Sequence, residues 1–161
     1  MEMEKKKALD DLRKRFSGKI KETFLKFGDE IVIIERDSLL DVVKFLMKEP
    51  YSFTMLLDLT CVDHIGQENR FQMVYHLFSL SNNHRLRIKL SLPEKDPVVD
   101  SLTSFFKNAN WLEREVYDMF GIQFNRHPDL RRLFMYEGFE GYPLRKDYPL
   151  RKRQPRIRLR K

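Results

Sequence analysis

Three apolar segments follow one another in the middle of the chain: residues 53–63 (FTMLLDLTCVD), 71–80 (FQMVYHLFSL) and 84–92 (HRLRIKLSL). A polar loop containing IGQENR joins the first two, and a short SNN turn joins the second to the third. Connections of this length link neighbouring antiparallel strands. The last segment alternates cleanly, with Leu86, Ile88, Leu90 and Leu92 on one side and Arg85, Arg87, Lys89 and Ser91 on the other. One of its faces therefore enters a core, and the other meets water or an acidic partner. The middle segment is apolar on nearly both sides, as suits a strand inside a sheet. An antiparallel meander is the expected centre of the fold.

The flanks read as helices with one further strand. Residues 1–28 form an N-terminal unit in which Leu9, Leu12, Phe16, Ile20 and Phe24 recur at three- and four-residue spacing, which predicts an amphipathic helix over 3–27. Gly18 weakens it and Gly28 ends it. EIVIIER, residues 30–36, is rich in branched residues and reads as a strand. Ser38 with Asp41 opens a second helix whose apolar face is Leu39, Val42, Val43, Leu46 and Met47, and Pro50 closes it. Asp96 before Pro97 predicts another helix to about residue 107, burying Val98, Val99, Leu102, Phe105 and Phe106. A final helix spans 110–121. The expected architecture is an α+β single domain, a mainly antiparallel sheet packed by helices. Its body spans 29–134, and an extended basic C-terminal tail spans 135–161.

Composition narrows the chemistry. A single cysteine, Cys61, excludes an internal disulfide and any four-cysteine metal or iron-sulfur site made by this chain alone. Its strand setting makes it a small buried thiol in a reducing compartment rather than a nucleophile. No apolar run approaches bilayer length. The first thirty residues, with Glu2, Glu4, Asp10 and Asp11, match neither a signal peptide nor a transit peptide. No glycine-rich phosphate loop follows a strand, so no nucleotide or flavin seat is expected. The net charge of +7 is concentrated: residues 145–161 hold nine Lys or Arg and one Asp, leaving the rest of the chain close to neutral.

The densest stretch is NWLEREVYDMFGIQFNRHPDLRRLF, residues 110–134. Asn110 is the expected N-cap, with Glu113 reaching back to free backbone N–H groups. Gly121 stops the helix in the left-handed position, and Ile122 packs back on Tyr117. Arg114 and Asp118, four apart, are placed to meet. Glu115 with Asp118, and His127 with Asp129, are the candidate acid–base or ligand groups. The structural alternative pairs them with Arg114, Arg126, Arg131 and Arg132 to fix an elbow between helix and tail, and it takes precedence because ion-pair networks perturb acids equally. Asp63 and His64 offer too few ligands for a metal and read as a turn or cap.

The tail begins with GYPLRKDYPL, residues 141–150, and continues to a basic end. Its breaks leave no periodic face to bury on the body, so order is expected from a partner. Basic residues alone would bind nucleic acid or anionic lipid. Only Tyr148 interleaves as an aromatic, and the mixture suits a ribbon along a protein groove instead. In that reading Leu144, Tyr148 and Leu150 are anchors and Arg145, Lys146 and Asp147 make polar contacts. The last ten residues or so read as a solvated end.

WLEREVYDMFGIQFNRHPDLRRL followed by GYPLRKDYPL resembles the signature of a family of NADH-quinone oxidoreductase subunits, the 30 kDa subunit family of respiratory complex I. LLDLTCVDH at 56–64, VYHLFSL at 74–80 and PVVDSLTSFF at 97–106 extend the resemblance over roughly residues 30–150. The resemblance implies a cofactor-free subunit of the peripheral arm that packs against the neighbour related to hydrogenase large subunits and against adjacent iron-sulfur subunits. FMN and the iron-sulfur clusters belong to partner subunits, and the complex carries electrons from NADH to quinone while translocating protons. It places the subunit peripherally, on the cytoplasmic side of the inner membrane. Glu113, Arg114, Glu115, Asp118, His127, Asp129, Arg131 and Arg132 are carried over as assembly residues, joined by Tyr142, Leu144, Arg145, Lys146, Asp147 and Tyr148 of the second motif. No catalytic, cofactor-binding or metal residue is assigned. Two alternatives stay open: the equivalent subunit of a membrane-bound hydrogenase-type or other-donor complex, and a nucleic-acid-binding module acting through the tail.

Overall fold

A computed structural model describes residues 2–155. In order, the elements are α1 (Glu2–Arg15), β1 (Ile20–Lys26), β2 (Asp29–Ile34), α2 (Leu39–Leu46), β3 (Met55–Asp63), β4 (Phe71–Ser79) and β5 (His84–Leu92). Then come β6 (Val98–Asp100), α3 (Ala109–Phe120) and β7 (Gln123–Asn125). The expected meander is present: β3 pairs antiparallel with β4 and β4 with β5, in the spatial order β1-β2-β5-β4-β3. β2 runs parallel to β5, so the helix α2 and the strands β3 and β4 lie between two neighbouring strands in sequence.

Alternation divides the sheet into a dry face and an open one. Val32, Ile34, Leu59, Cys61, Met73, Tyr75, Ile88 and Leu90 point to one side and form a single cluster with Leu12 of α1, Leu39, Val42, Val43 and Leu46 of α2, and Val116, Met119 and Phe120 of α3. Three helices thus cover one face. The other face carries Asp58 and Thr60 of β3, His76 of β4 and Arg87 and Lys89 of β5. The α+β class is as expected, and the clean alternation of β5 is its signature.

Two expected helices are replaced. The N-terminal helix stops at Arg15, and residues 20–26 are strand β1, antiparallel to β2 from Ile20↔Ile34 to Lys26↔Asp29. Ile20 and Phe24 are four apart, a spacing shared by one helix face and one strand face, so the stripe did not distinguish the periods. Gly18 costs a helix interior about 1 kcal/mol, while the free edge of β2 offers a ladder of hydrogen bonds. Residues 97–107 are likewise not a helix. Val98 and Val99, both β-branched, enter β6, which pairs parallel with β7. Past β6 the chain turns at Ser101, whose Oγ accepts from the Thr103 N–H at 3.1 Å, and Leu102 and Phe106 still reach the core.

The turn between β1 and β2 is made by Phe27 (φ 53°) and Gly28 (φ 84°), both in the left-handed region. Glycine accepts this without strain, but a phenylalanine there costs about 1 kcal/mol. Its ring is 97% exposed and meets only the Lys26 ammonium, 5.7 Å from its centroid.

Candidate functional site

α3 is set by its ends. It begins at Ala109, one residue before the expected cap Asn110, and the residue at the N-cap position is Asn108. The Asn108 side chain caps no helix N–H; it donates to Leu56 O of β3 at 2.8 Å. At the other end Gly121 adopts φ 76° and its N–H donates to Tyr117 O at 2.8 Å, the left-handed stop the sequence predicts. Gly121 is required twice over, because a Cβ there would lie 2.6 Å from the Tyr142 ring.

The charged residues of α3 face three different ways. Glu113 is fully buried and accepts the Leu102 N–H at 2.7 Å instead of reaching back along its own helix. Arg114 does not meet Asp118; it donates to the carbonyls of Arg131 and Arg132, both at 3.1 Å, beneath the exposed Trp111 ring. Asp118, fully buried, is the hub of the elbow. Its Oδ2 accepts the N–H groups of Leu133, Phe134 and Met135 at 3.0, 2.7 and 2.8 Å, and its Oδ1 accepts Arg132 Nη1 at 2.8 Å. Burial alone would raise this carboxyl, but the three N–H donors and Arg132 hold it below the usual range. Glu115 is exposed, with no ion pair among the described residues.

His127 closes the elbow from beneath. Its ring is buried, with Nδ1 accepting the Asp129 N–H at 3.0 Å and Nε2 lying 3.1 Å from Asn110 O. These partners require a neutral imidazole protonated on Nε2. Asp129 itself pairs with the exposed Arg131 at 2.9 Å. His127 and Asp129 therefore make a local brace rather than a ligand pair.

The second motif lies on the body, contrary to the expectation that it finds no place there. Residues 135–155 contain no helix or strand, as their breaks imply, yet the Leu144 N–H donates to Met119 O at 3.1 Å and Arg145 Nε to Phe120 O at 2.5 Å. The Arg145 guanidinium sits between the rings of Tyr142 and Phe71, 4.5 and 4.9 Å from their centroids. Arg132 donates to Gly141 O at 3.0 Å, tying the two motifs together. Tyr148 stacks on Phe139 and accepts a hydrogen bond from Gln154. Leu144 and Leu150 remain exposed, and Lys146 turns its side chain outward. The solvated end expected for the last ten residues falls largely outside the described residues.

The clasp that holds this segment centres on Arg70, which, like Glu94, the sequence did not single out. Arg70, 2% exposed, donates twice to Asp63, at 2.8 Å each, to Glu94 at 2.6 Å, and to Asp147 at 2.6 and 3.1 Å. Asp63 also accepts the Lys146 N–H at 2.8 Å. Its role is this clasp, not the turn or cap expected of it. Arg70 holds both Asp63 and Asp147 below the usual carboxylate range, and those carboxylates in turn raise Arg70. The missed signal was an arginine placed immediately before the most apolar strand. Nearby Cys61 is pushed up to about 12, chiefly by burial, and so stays an inert thiol. Among the described residues no group of three or more His, Cys, Asp or Glu is placed to hold a metal ion, and no helix is long and apolar enough to cross a membrane.

Glu113 yields a pH prediction. Burial pushes it up to about 7, against the opposing pull of the Leu102 N–H and the Ser101 hydroxyl; its Oε2 makes no hydrogen bond among the described residues and lies 3.9 Å from His127 Nε2. A carboxyl raised on folding binds more protons in the native state than in the unfolded one. It costs nothing below the unfolded value and progressively destabilises as pH rises to about 7. Glu113→Gln is therefore expected to be more stable relative to the natural chain at pH 8 than at pH 4.5, by on the order of 3 kcal/mol. Denaturant melts at the two pH values check this.

A sheet covered on one side by helices, with a glycine-stopped helix in which Asp118 holds an elbow and with a strapped C-terminal segment, defines an α+β module in which most of the signature charges, Glu115 excepted, contact the chain's own fold. Its relatives give its lineage. The family described as "Respiratory-chain NADH dehydrogenase, 30 Kd subunit" matches residues 32–154. The corresponding NADH-quinone oxidoreductase subunit of Geobacter sulfurreducens is 43% identical over 148 residues, 91% of each chain, and that of Trichlorobacter lovleyi is 47% identical over 145 residues, 89% of each. The solved trypsin-resistant fragment (1-134) of Nqo5 is 30% identical with a TM-score of 0.66, covering 76% of this chain and 99% of its own. A chain of the membrane-bound sulfane sulfur reductase, an archaeal respiratory membrane complex, shares the fold with a TM-score of 0.77 at 19% identity, covering 90% of this chain and 85% of that one. The chain belongs to the respiratory NADH dehydrogenase 30 kDa subunit family, a family of subunits of NADH-quinone oxidoreductase.

Proposed function

We propose that within NADH-quinone oxidoreductase this chain is a redox-inactive scaffold of the peripheral arm. It contributes shape and adhesion, while FMN and the iron-sulfur centres that carry electrons from NADH to quinone sit in neighbouring subunits. The observation that carries this reading is the use of the signature residues. Arg114, Asp118, His127, Asp129 and Arg132 are engaged in elbow contacts, and Asp147 is tied to Arg70. What remains free is surface suited to protein contact, including Trp111, Glu115, Phe134, Leu144 and Leu150. In this reading the partner is the subunit related to hydrogenase large subunits, with adjacent iron-sulfur subunits, and the chain reaches the cytoplasmic face of the membrane only through them. Half-buried Arg145 is occupied by two aromatic rings and a carbonyl, which takes one cation out of the tail's reach for nucleic acid.

Affinity purification of the tagged full chain under mild detergent tests the proposal. Flavin- and iron-sulfur-containing subunits are expected to accompany it, and the chain stripped from them is expected to be colourless. A stoichiometric redox centre retained by the isolated chain, or turnover by the chain alone, would overturn it.

A further inference from the structure

The feature the scaffold reading leaves unused is the tip of the β1–β2 hairpin. Phe27 occupies a left-handed position that asparagine or glycine takes more readily, and its ring is 97% exposed. The chain thus bears backbone strain for a side chain whose neighbour among the described residues is the Lys26 ammonium, 5.7 Å from the ring centroid. Strain borne for a ring that buries almost none of its apolar surface within the chain points to a gain made outside it. The surroundings of the tip say what kind of surface supplies it. Burial depresses the ammonium of Lys89, and the charges of Arg87 and Lys26 depress it further, so three cations of the open sheet face lie within electrostatic reach of one another at the base of the hairpin. Asp29, 2.6 Å from Arg87, offsets one of them.

We propose that the β1–β2 hairpin is a docking finger whose Phe27 ring enters an apolar pocket on a neighbouring protein subunit, with carboxylates at the pocket rim facing Lys26 and Lys89. A lone aromatic in a fitted pocket surrounded by polar pairs is the arrangement of an interface hot spot. Stable bilayer anchoring takes more than one such insertion, which favours a protein over a lipid surface. The inference rests on the reading that the chain works as an assembled subunit, and it assigns one contact of that assembly.

Phe27→Asn separates the finger from a role in folding. Asparagine relieves the left-handed strain, so the isolated variant is expected to melt a few degrees above the natural chain. The amount of partner protein recovered with it under mild detergent is expected to fall at least fivefold, and Phe27→Trp is expected to recover most of it. Raising salt during purification should weaken what Phe27→Asn retains no more than it weakens the natural complex. Full recovery of partners by Phe27→Asn would overturn the finger while leaving the scaffold reading intact. Unchanged partner recovery coupled with lost binding to phosphatidylglycerol–phosphatidylethanolamine vesicles would instead make the tip a membrane contact, also overturning it. If the natural chain brings down no partner at all, both readings fall.

Discussion

Replacing Asp118 by alanine is expected to remove about 4 kcal/mol of stability, a loss that for a chain of this size lowers the melting temperature by roughly ten degrees. The magnitude follows from what the carboxylate holds. One buried oxygen accepts three successive backbone N–H groups, at residues 133–135, and the other accepts Arg132. Alanine leaves the three N–H groups without their acceptor and Arg132 Nη1 with only the more distant Asp118 carbonyl, at 3.4 Å, and each unsatisfied group costs about 1 kcal/mol or more. Asp118→Asn sharpens the test. Its carbonyl still serves the three N–H groups, but its amide then faces Arg132 donor to donor, so about half of the loss is expected. A cycle combining it with Arg132→Met should be strongly non-additive. Additive losses would show that the elbow is held elsewhere.

Arg70→Met is expected to cost about 3–5 kcal/mol and to free the C-terminal segment from the body. Asp63 is 2% exposed in its side chain and would keep only the Lys146 N–H. The sign of the pH effect identifies the mechanism. In the natural chain Asp63 and Asp147 are depressed, so their contribution is present above the ordinary carboxylate range and lost as pH falls through the lower folded values. The penalty of Arg70→Met should therefore be large at pH 7 and shrink only as pH falls below about 4, through the lowered folded values, where protonated carboxyls no longer need the arginine. Hydrogen exchange at the Leu144 and Lys146 amides, bonded to Met119 O and Asp63, reports release of the segment directly. Asp147→Asn should be milder, since that carboxylate is half exposed.

The central sheet was legible because β5 alternates over its whole length and the turns beside it are short. The end of α3 was legible because a glycine in that position has few other uses. Residues 20–26 were not, since Ile20 and Phe24 satisfy two periods at once and only the edge of β2, which no local pattern reveals, decides between them. Val98 and Val99 were misassigned for a similar reason: their partner strand β7 lies on the far side of α3. Two of the elbow's ion pairs lie among the arginines the sequence offers, Asp118 with Arg132 and Asp129 with Arg131, but the backbone partners were not legible, because Glu113 accepts from Leu102 and Asp118 from residues 133–135. Arg70 carries no local sequence signal beyond its place immediately before β4. Its three carboxylates come from positions 63, 94 and 147, and no sequence spacing joins them.

The most direct measurement is NADH:quinone turnover per assembled complex when Glu115→Ala and Asp118→Ala are introduced together. A chain that gives only shape and adhesion predicts less complex recovered, with the turnover of each remaining complex and its KM for quinone unchanged. Complex assembled in normal amount but with an altered quinone KM would contradict the account.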